Sequence, residues 1–197
     1  MLKVALTGGI GCGKSEVSSL FNKWGAYIFD ADTIAKNIIN ENKTAQKELI
    51  SLFGSDIISL EGSIDKKKLS RIAFQNEYNQ LKLNTIIHPF VFQEIDLCFG
   101  RVSAKGKHGI FIVDAALIYE SGADTHMDYV IVISSHLRIR TERVMSRGDL
   151  SRDEFLKRVE LQWPEKDKIE MADYVIQNNG SKDALKQEAK KIYNQLK

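Results

Sequence analysis

Short apolar runs, rich in β-branched residues and bounded by polar or glycine positions, recur along the chain and predict buried strands. Between most of these runs the apolar positions repeat every three or four residues, which is typical of helices that bury one face. Strands that alternate with helices in this way predict an α/β fold around a parallel sheet. The five predicted strands cover residues 3–7, 26–29, 109–113, 129–133 and 173–177.

One long stretch, residues 33–108, breaks this alternation because it contains no convincing strand. A plain crossover between parallel strands needs far fewer residues, so the excess predicts an inserted helical subdomain. Such insertions often shape the site of an acceptor substrate. Periodicity predicts its helices at residues 34–39, 45–53, 66–74, 78–87 and 90–99.

The dipeptide His88-Pro89 falls between the last two of these helices. Proline disfavours the α conformation at the residue before it and readily begins a helix, so we predict a helix junction here. The His88 ring would then point outward or into a cleft, where it either contacts substrate or has a structural role. The basic run Lys66–Lys68 also has two interpretations, an anion contact or a solvated helix face.

Length and composition fit one substantial core with a smaller attached subdomain, since 197 residues include 43% hydrophobic and 27% charged positions. The net charge of +2 gives no indication of a nucleic-acid partner. No apolar run approaches the roughly 18 residues of a membrane span. Because the first predicted strand begins at residue 3, we also expect no signal peptide and a cytoplasmic location.

The first predicted strand leads directly into the motif Gly8–Ser15, whose sequence GGIGCGKS fits the pattern G-x-x-x-x-G-K-[ST]. We call this segment the phosphate loop, because a strand, such a loop and a helix together bind polyphosphates. Its glycines let the main chain approach phosphate oxygens, so that backbone N–H groups and the helix N-terminus point at the anion. Lys14 would then carry its charge to the β and γ phosphates of ATP, and the Ser15 hydroxyl would ligate Mg²⁺. The alternative is a flexible turn with a solvated lysine.

Two cysteines, Cys12 and Cys98, lie far apart and lack the spacing of metal ligands. We expect no disulfide between them. Cys12 lies in the phosphate loop beside Lys14 at a helix N-terminus, a positively charged setting that lowers the pKa of a thiol. It is therefore either a reactive thiol that bound ATP would protect, or a small residue at a permissive position.

Carboxylates follow two of the predicted strands, with Asp30 and Asp32 after the second and Asp114 after the third. Ligands gather at the carboxyl ends of strands in parallel sheets, so we expect these side chains near the phosphate loop. One of the first two would cap the next helix, while the other, preferably Asp32, would orient an acceptor hydroxyl and take its proton. Asp114 would hold Mg²⁺ directly or through water, or else cap a turn.

A basic helix follows the fourth predicted strand and carries Arg140, Arg143 and Arg147, whose offsets of three and seven place them on one face. Arg158 follows on a second helix, and residues 148–151 supply a hinge and a cap between the two. Mobile arginines that close over a triphosphate stabilise transition-state charge and exclude water. A solvated basic face is the competing interpretation.

Taken together, these residues resemble the dephospho-coenzyme A kinases, a family of P-loop kinases, over nearly the whole chain. The phosphate loop alone identifies only a superfamily, but its combination with the Asp-Ala-Asp, His-Pro and Asn-Asn-Gly segments is much more specific. The matching segments are ALTGGIGCGKS at 5–15, DAD at 30–32, GSIDKKKL at 62–69, HP at 88–89, LIYESG at 117–122, RGDLS at 147–151, Gln162 and NNG at 178–180.

The resemblance implies transfer of the γ-phosphate of ATP, with Mg²⁺, to the ribose 3′-hydroxyl of dephospho-CoA, the last step of coenzyme A synthesis. It also implies a three-layer P-loop NTPase-like fold, in which helices flank a five-stranded parallel sheet. In this single kinase domain, residues 1–32 and 109–197 would form the core, about 33–108 the CoA-binding helical insert and about 143–165 a lid. We expect a monomer whose partners are ATP and dephospho-CoA, without nucleic acid or membrane.

The resemblance further assigns the site residues. Catalysis would depend on Asp32, Lys14 and Arg147. Substrate contacts would come from Thr7, Asp32, His88, Pro89 and Leu117. Metal contacts would come from Ser15 and Asp114. ATP contacts would come from Gly9, Gly11, Cys12, Gly13, Lys14, Ser15, Glu16, Arg143, Asn178 and Asn179, with the last two near the adenine.

Two other functional classes share parts of this pattern. Another small-molecule or nucleotide kinase would have the same loop, sheet and lid, and a panel of acceptors would separate it by ADP formation. A GTPase would carry an N-K-x-D motif that reads the base. The stretch Asn179–Asp183, which reads NGSKD, does not provide that motif.

Overall fold

The computed structural model describes all 197 residues and contains a single five-stranded sheet in which all strands are parallel. The strand order is β2-β3-β1-β4-β5. The predicted α/β fold is therefore confirmed, and each predicted strand agrees with the observed one to within one residue at either end. The strands are β1 (Leu2–Gly8), β2 (Tyr27–Asp30), β3 (Ile110–Asp114), β4 (Tyr129–Ser134) and β5 (Tyr174–Gln177).

Ten α-helices and two short 3₁₀ helices, Ser55–Ile57 and Ala123–His126, complete the fold. None of the helices combines the length and the apolar character that crossing a bilayer requires. The α-helices are α1 (Lys14–Lys23), α2 (Ala31–Glu41), α3 (Lys43–Phe53), α4 (Lys66–Ala73), α5 (Glu77–Lys105), α6 (Ile118–Ser121), α7 (Leu137–Arg147), α8 (Arg152–Glu160), α9 (Glu165–Met171) and α10 (Lys182–Gln195).

The chain forms two compact units. The sheet unit consists of Met1–Asp30 and Ile95–Lys197, and the helical unit consists of Ala31–Glu94. In the helical unit α2 packs on α3, and an isolated bridge between Ile58 and Ile64 is its one β pairing. The prediction that this stretch holds no strand is therefore confirmed.

The core of the sheet unit lies where α1 and α10 cover one face of the sheet. Val4 and Leu6 of the central strand β1 are fully buried there. Phe21 of α1 is also buried, and its ring centroid lies 6.0 Å from that of Trp24 and 5.5 Å from that of Tyr193 in α10. The Tyr193 hydroxyl donates to the Trp24 carbonyl, which ties the last helix to the first. These contacts fix the helix that begins in the phosphate loop.

Helix α5 runs unbroken through Pro89, so the predicted helix junction at this position is wrong. Proline lacks the N–H that would bond the Thr85 carbonyl, and its ring crowds that carbonyl, which is why sequence alone favours a break. Ile87 and Val91, on either side of Pro89, are both buried. Their packing sustains the helix, while Pro89 itself is exposed to solvent.

Candidate active site

The phosphate loop leaves β1 and turns into α1 with a backbone that only glycine adopts easily. Gly13, the N-cap of α1, has φ of 99°. A Cβ atom at this position would lie 2.2 Å from the Asn178 amide nitrogen, so no larger residue fits. The N–H groups of Gly11, Gly13 and Ser15 have no acceptor within the protein. Together with the N-terminus of α1, they form a cradle suited to an anion.

Lys14 and Asp114 form an ion pair at this cradle, and their side chains are only 15% and 10% exposed. Asp114 ends β3, next to β1, so its carboxylate lies at the carboxyl edge of the sheet as predicted. The Ser18 hydroxyl donates to the other Asp114 oxygen at 2.5 Å. Sequence analysis gave Ser18 no role, although it follows Lys14 by four residues and so lies on the same helix face.

The side chain of Cys12 lies under the phosphate loop and is 2% exposed. Burial raises the pKa of this thiol, and this effect outweighs the lowering by a backbone hydrogen bond and by the charges of Lys14 and Arg140. The expectation of a low pKa at Cys12 is therefore wrong. The positive setting is present, but desolvation of the thiolate outweighs it, which favours the alternative that Cys12 is a small buried residue at a permissive position.

Arg143 and Asn178 meet at the main chain of the phosphate loop. The Asn178 amide donates to the Cys12 carbonyl at 2.7 Å, and Arg143 donates to the same carbonyl at 3.3 Å. Arg143 also donates to the side chain and the carbonyl of Asn178 at 3.2 and 3.1 Å. The neighbouring Asn179 accepts from the His136 N–H at 2.8 Å. The structure thus brings these three predicted residues together, while their contact with ATP stays a prediction.

Arg140 is buried at 4% exposure, so it is not the mobile lid arginine that its place beside Arg143 and Arg147 suggested. Its Nε donates to the Ile10 carbonyl at 2.9 Å, and its guanidinium forms an ion pair with Glu165 at 2.9 Å. Sequence periodicity grouped the three arginines correctly on one helical side, but it could not show that the first of them faces the protein interior.

The chain that follows α8 contacts the loop and the neighbouring strand ends. The side chain of Gln162 accepts from the Ile10 N–H at 3.0 Å and donates to the Ala116 carbonyl at 3.4 Å. Glu120 accepts from the N–H of Trp163 at 2.9 Å and pairs with the buried Lys168 at 2.6 Å. Sequence analysis assigned no role to any of these side chains, since nothing local in the chain links them to the loop.

The remaining predicted residues of the sheet unit differ in accessibility. Thr7 is fully buried, and its hydroxyl donates to the Ala116 carbonyl at 3.3 Å. Arg147, the last residue of α7, is exposed. Leu117 is partly exposed and precedes α6. Ser15 and Glu16 lie exposed in the first turn of α1, and Gly9 packs so closely on the Arg140 guanidinium that a Cβ would lie 2.5 Å away.

The helical unit holds the other predicted residues. Asp32 lies in the first turn of α2, which begins three residues earlier than the predicted range 34–39 and directly after Asp30. The ring of His88 lies 6.0 Å from that of Phe92, one turn further along α5. Asp65 caps α4 and accepts from two of the lysine N–H groups that follow, which lowers the pKa of its carboxyl. Contact between these side chains and substrate stays a prediction.

The family model for dephospho-CoA kinase matches residues 2–184. The chain belongs to this family. A dephospho-CoA kinase from Aquifex aeolicus is 36% identical over 196 residues, which cover 100% of this chain and 98% of the relative. The predicted family and enzyme class, a phosphotransferase, are therefore confirmed.

Solved structures agree with membership of the dephospho-CoA kinase family. The dephospho-CoA kinase from Campylobacter jejuni superimposes with a TM-score of 0.70 at 29% identity, covering 98% of this chain and 96% of that one. A shikimate kinase from Acinetobacter baumannii, with a TM-score of 0.57 and 14% identity, covers 100% of this chain and 93% of its own. The second likeness concerns the fold alone, and it confirms the predicted P-loop kinase architecture.

The oxygen donors at the loop fit the Mg²⁺ that accompanies ATP in P-loop kinases. No group of three or more His, Cys, Asp or Glu side chains capable of holding a metal ion occurs in the chain. Mg²⁺ in such enzymes is bound by one or two protein oxygens together with phosphates and water, so a dense ligand cluster is not required. The Asp114 carboxylate and the Ser15 hydroxyl are hard oxygen ligands of the type that Mg²⁺ prefers.

Proposed function

We propose that this protein transfers the γ-phosphate of ATP to the ribose 3′-hydroxyl of dephospho-CoA and so completes coenzyme A synthesis. The observation that carries the proposal is the match to dephospho-CoA kinases over almost the whole chain, in a protein whose phosphate loop has the geometry of an anion cradle. The proposed donor and acceptor follow from the family, and the residue roles that follow are part of the same proposal.

The phosphates of ATP would bind in the phosphate loop, where the N–H groups of Gly11, Gly13 and Ser15 have no acceptor within the protein and could donate to them. Lys14 would exchange its ion pair with Asp114 for the β and γ phosphates. Because both side chains are largely buried, this exchange occurs where charges interact more strongly than in water. The remaining predicted ATP contacts include Arg143, Asn178 and Asn179, of which the two asparagines would lie near the adenine.

Asp114 and Ser15 would hold Mg²⁺, which when bound neutralises charge on the phosphate oxygens. The release of Asp114 from Lys14 makes its carboxylate available for that role, directly or through water. Ser18 would keep the carboxylate in place during the exchange, since its hydrogen bond uses the oxygen that Lys14 does not.

At the acceptor, the Asp32 carboxylate would take the proton of the 3′-hydroxyl as its oxygen forms a bond to the γ-phosphorus. The bond between that phosphorus and the bridging oxygen of ADP breaks, and ADP leaves with the electron pair. Arg147, with Arg143, would stabilise charge on the transferring group. Thr7, His88, Pro89 and Leu117 would shape the acceptor site.

The expected setting of the protein belongs to the same proposal. An ATP-consuming biosynthetic enzyme is expected in the cytoplasm, where both cysteines would stay reduced, and in the structure both are free thiols. We propose a monomer that binds ATP and dephospho-CoA and that has no nucleic-acid or membrane partner.

An ADP-release assay with and without dephospho-CoA tests the proposal. We expect ADP formation that depends on dephospho-CoA, and a product whose new phosphate NMR places on the 3′-oxygen. A panel of other small hydroxyl acceptors serves as control. ADP formation with one of those acceptors and none with dephospho-CoA would overturn the proposed substrate.

A further inference from the structure

The segment 162–168 crosses the carboxyl ends of three neighbouring strands. Gln162 contacts the phosphate loop after β1 and the Ala116 carbonyl after β3. Glu165 accepts from the hydroxyl of Ser134 at 2.5 Å and the N–H of Ser135 at 2.9 Å, at the end of β4. The strand order places β1 between β3 and β4, so the segment runs along the edge of the sheet where the phosphate loop lies.

Both main-chain polar groups of Ile10 are held by side chains from distant parts of the sequence. The N–H donates to Gln162 at 3.0 Å, and the carbonyl accepts from Arg140 at 2.9 Å. Ile10 lies between Gly9 and Gly11, which have no side chains that could anchor the turn. Glycine also leaves the backbone with more conformations than any other residue, so the two contacts at Ile10 restrain a part of the loop that would otherwise be free to turn.

We propose that Gln162 is a positioning residue for phosphoryl transfer, which orients the Ile10 peptide so that the following loop N–H groups point at the nucleotide phosphates. The inference rests on the proposed function. Its chemistry requires a carboxamide, because Gln162 accepts from Ile10 and donates to Ala116 at the same time. Methionine can do neither, and an ionised glutamate can only accept.

Arg140 holds the Ile10 carbonyl, but its guanidinium is buried and paired with the partly exposed Glu165, so removing either partner would also destabilise the fold. Gln162 is partly exposed and uncharged, so its removal leaves no buried charge behind. It therefore offers the cleaner test of positioning. It also lies within the predicted lid, 143–165, so any movement of that lid would act on the Ile10 N–H through this one side chain.

The first test replaces Gln162 with methionine, with Gln187→Met on the exposed face of α10 as the matched control. Loop N–H groups bind the ground state and the transition state alike, so we expect the Kd and KM for ATP to rise about tenfold with little change in kcat. The control should match the parent protein. A Gln162→Met variant within about twofold of the parent in Kd for ATP would overturn the proposal.

Binding is read without turnover from Trp163, which adjoins Gln162. A Trp24→Phe background removes the one other tryptophan, and ATP is then titrated against fluorescence. Circular dichroism checks that each variant folds. If the parent protein binds ATP but releases no ADP with dephospho-CoA, the proposed function fails. If the parent turns over normally and the Gln162 variants equal it, only the present inference fails.

The second test uses Gln162→Glu, which keeps the shape of the side chain and makes its chemistry depend on pH. A protonated carboxyl both donates and accepts, as the amide does, while the ionised form only accepts and adds negative charge beside the phosphates. The ratio of variant to parent Kd for ATP should therefore be largest near about pH 8 and fall as the pH approaches the ordinary glutamate pKa of about 4.3. A ratio that does not change with pH would contradict the positioning role.

Discussion

The phosphate loop and the helical unit differ in how their proposed chemistry is built. In the loop, main-chain N–H groups would bind the phosphates, so the site requires glycines at fixed spacing. The observed backbone of Gly13 is one that only glycine adopts easily, as this requirement predicts. In the helical unit the proposed work falls to single side chains, Asp32 and His88, on helices whose periodicity reports only which face is buried. A backbone site can therefore be recognised from local sequence, whereas local sequence left the side chains of Asp32 and His88 with two interpretations each, between which the family resemblance chose.

The largest expected effect tests the helical unit. Asp32→Asn removes the proposed base but keeps the shape of the side chain, so we expect kcat to fall by about 10² to 10⁴-fold. ATP binding should stay unchanged, because the phosphate loop is intact. Steady-state ADP release and a separate ATP titration measure the two effects.

Asp30→Asn is the matched control, since Asp30 ends β2 and was the other candidate of the pair. It should reduce kcat far less than Asp32→Asn does. If the order of the two effects were reversed, the base would be Asp30, and the family-based assignment in the helical unit would be wrong.

The next effect tests the loop. Lys14→Met removes the charge that would move from Asp114 to the phosphates, so we expect kcat/KM to fall by about 10² to 10³-fold with weaker ATP binding. Mg·ATP should raise the Tm of the parent protein and leave that of the variant nearly unchanged. Lys23→Met, at the exposed end of α1, controls for loss of a lysine from the same helix. An unchanged affinity for ATP would count against the loop assignment.

A smaller effect tests the hydrogen bond from Ser18 to Asp114 beside the phosphate loop. Ser18→Ala leaves Asp114 with one hydrogen bond fewer at the oxygen that Lys14 does not use. We expect kcat/KM to fall by about 10 to 10²-fold, because one hydrogen bond to a charged group contributes about 1.5–3 kcal/mol. Ser19→Ala, its exposed neighbour, should have no effect. Equal activity of the two variants would mean that Asp114 needs no support from Ser18.

Local sequence predicted the five strands and the phosphate loop because their causes are local, namely apolar runs and glycine spacing. The side chains that hold the phosphate loop in place, by contrast, are not indicated by any local pattern in the sequence. Gln162 lies 152 residues from Ile10, and nothing near either residue indicates the contact. Arg140 shows the same limit, since periodicity gives its helical face but not whether that face points inward. The low pKa expected at Cys12 failed because a sequence shows neighbouring charges but not burial.

The smallest effect concerns Pro89, where local preference and structure disagree. Because α5 is continuous, alanine at this position restores an N–H for the Thr85 carbonyl, and proline costs a helix interior about 3 kcal/mol relative to alanine. Proline also restricts the unfolded chain, and alanine loses that benefit, so we expect Pro89→Ala to raise the free energy of unfolding by only about 1 kcal/mol.

Urea unfolding of Pro89→Ala measures this change, with Ser103→Ala as the control at another exposed position of α5. The control reports helix propensity alone, about 0.5 kcal/mol. A loss of stability in Pro89→Ala would mean that the ring holds a junction and that the unbroken helix is not the stable form. A gain together with a higher KM for dephospho-CoA would instead show that Pro89 serves the acceptor site at the cost of stability, by its own contact or by directing His88.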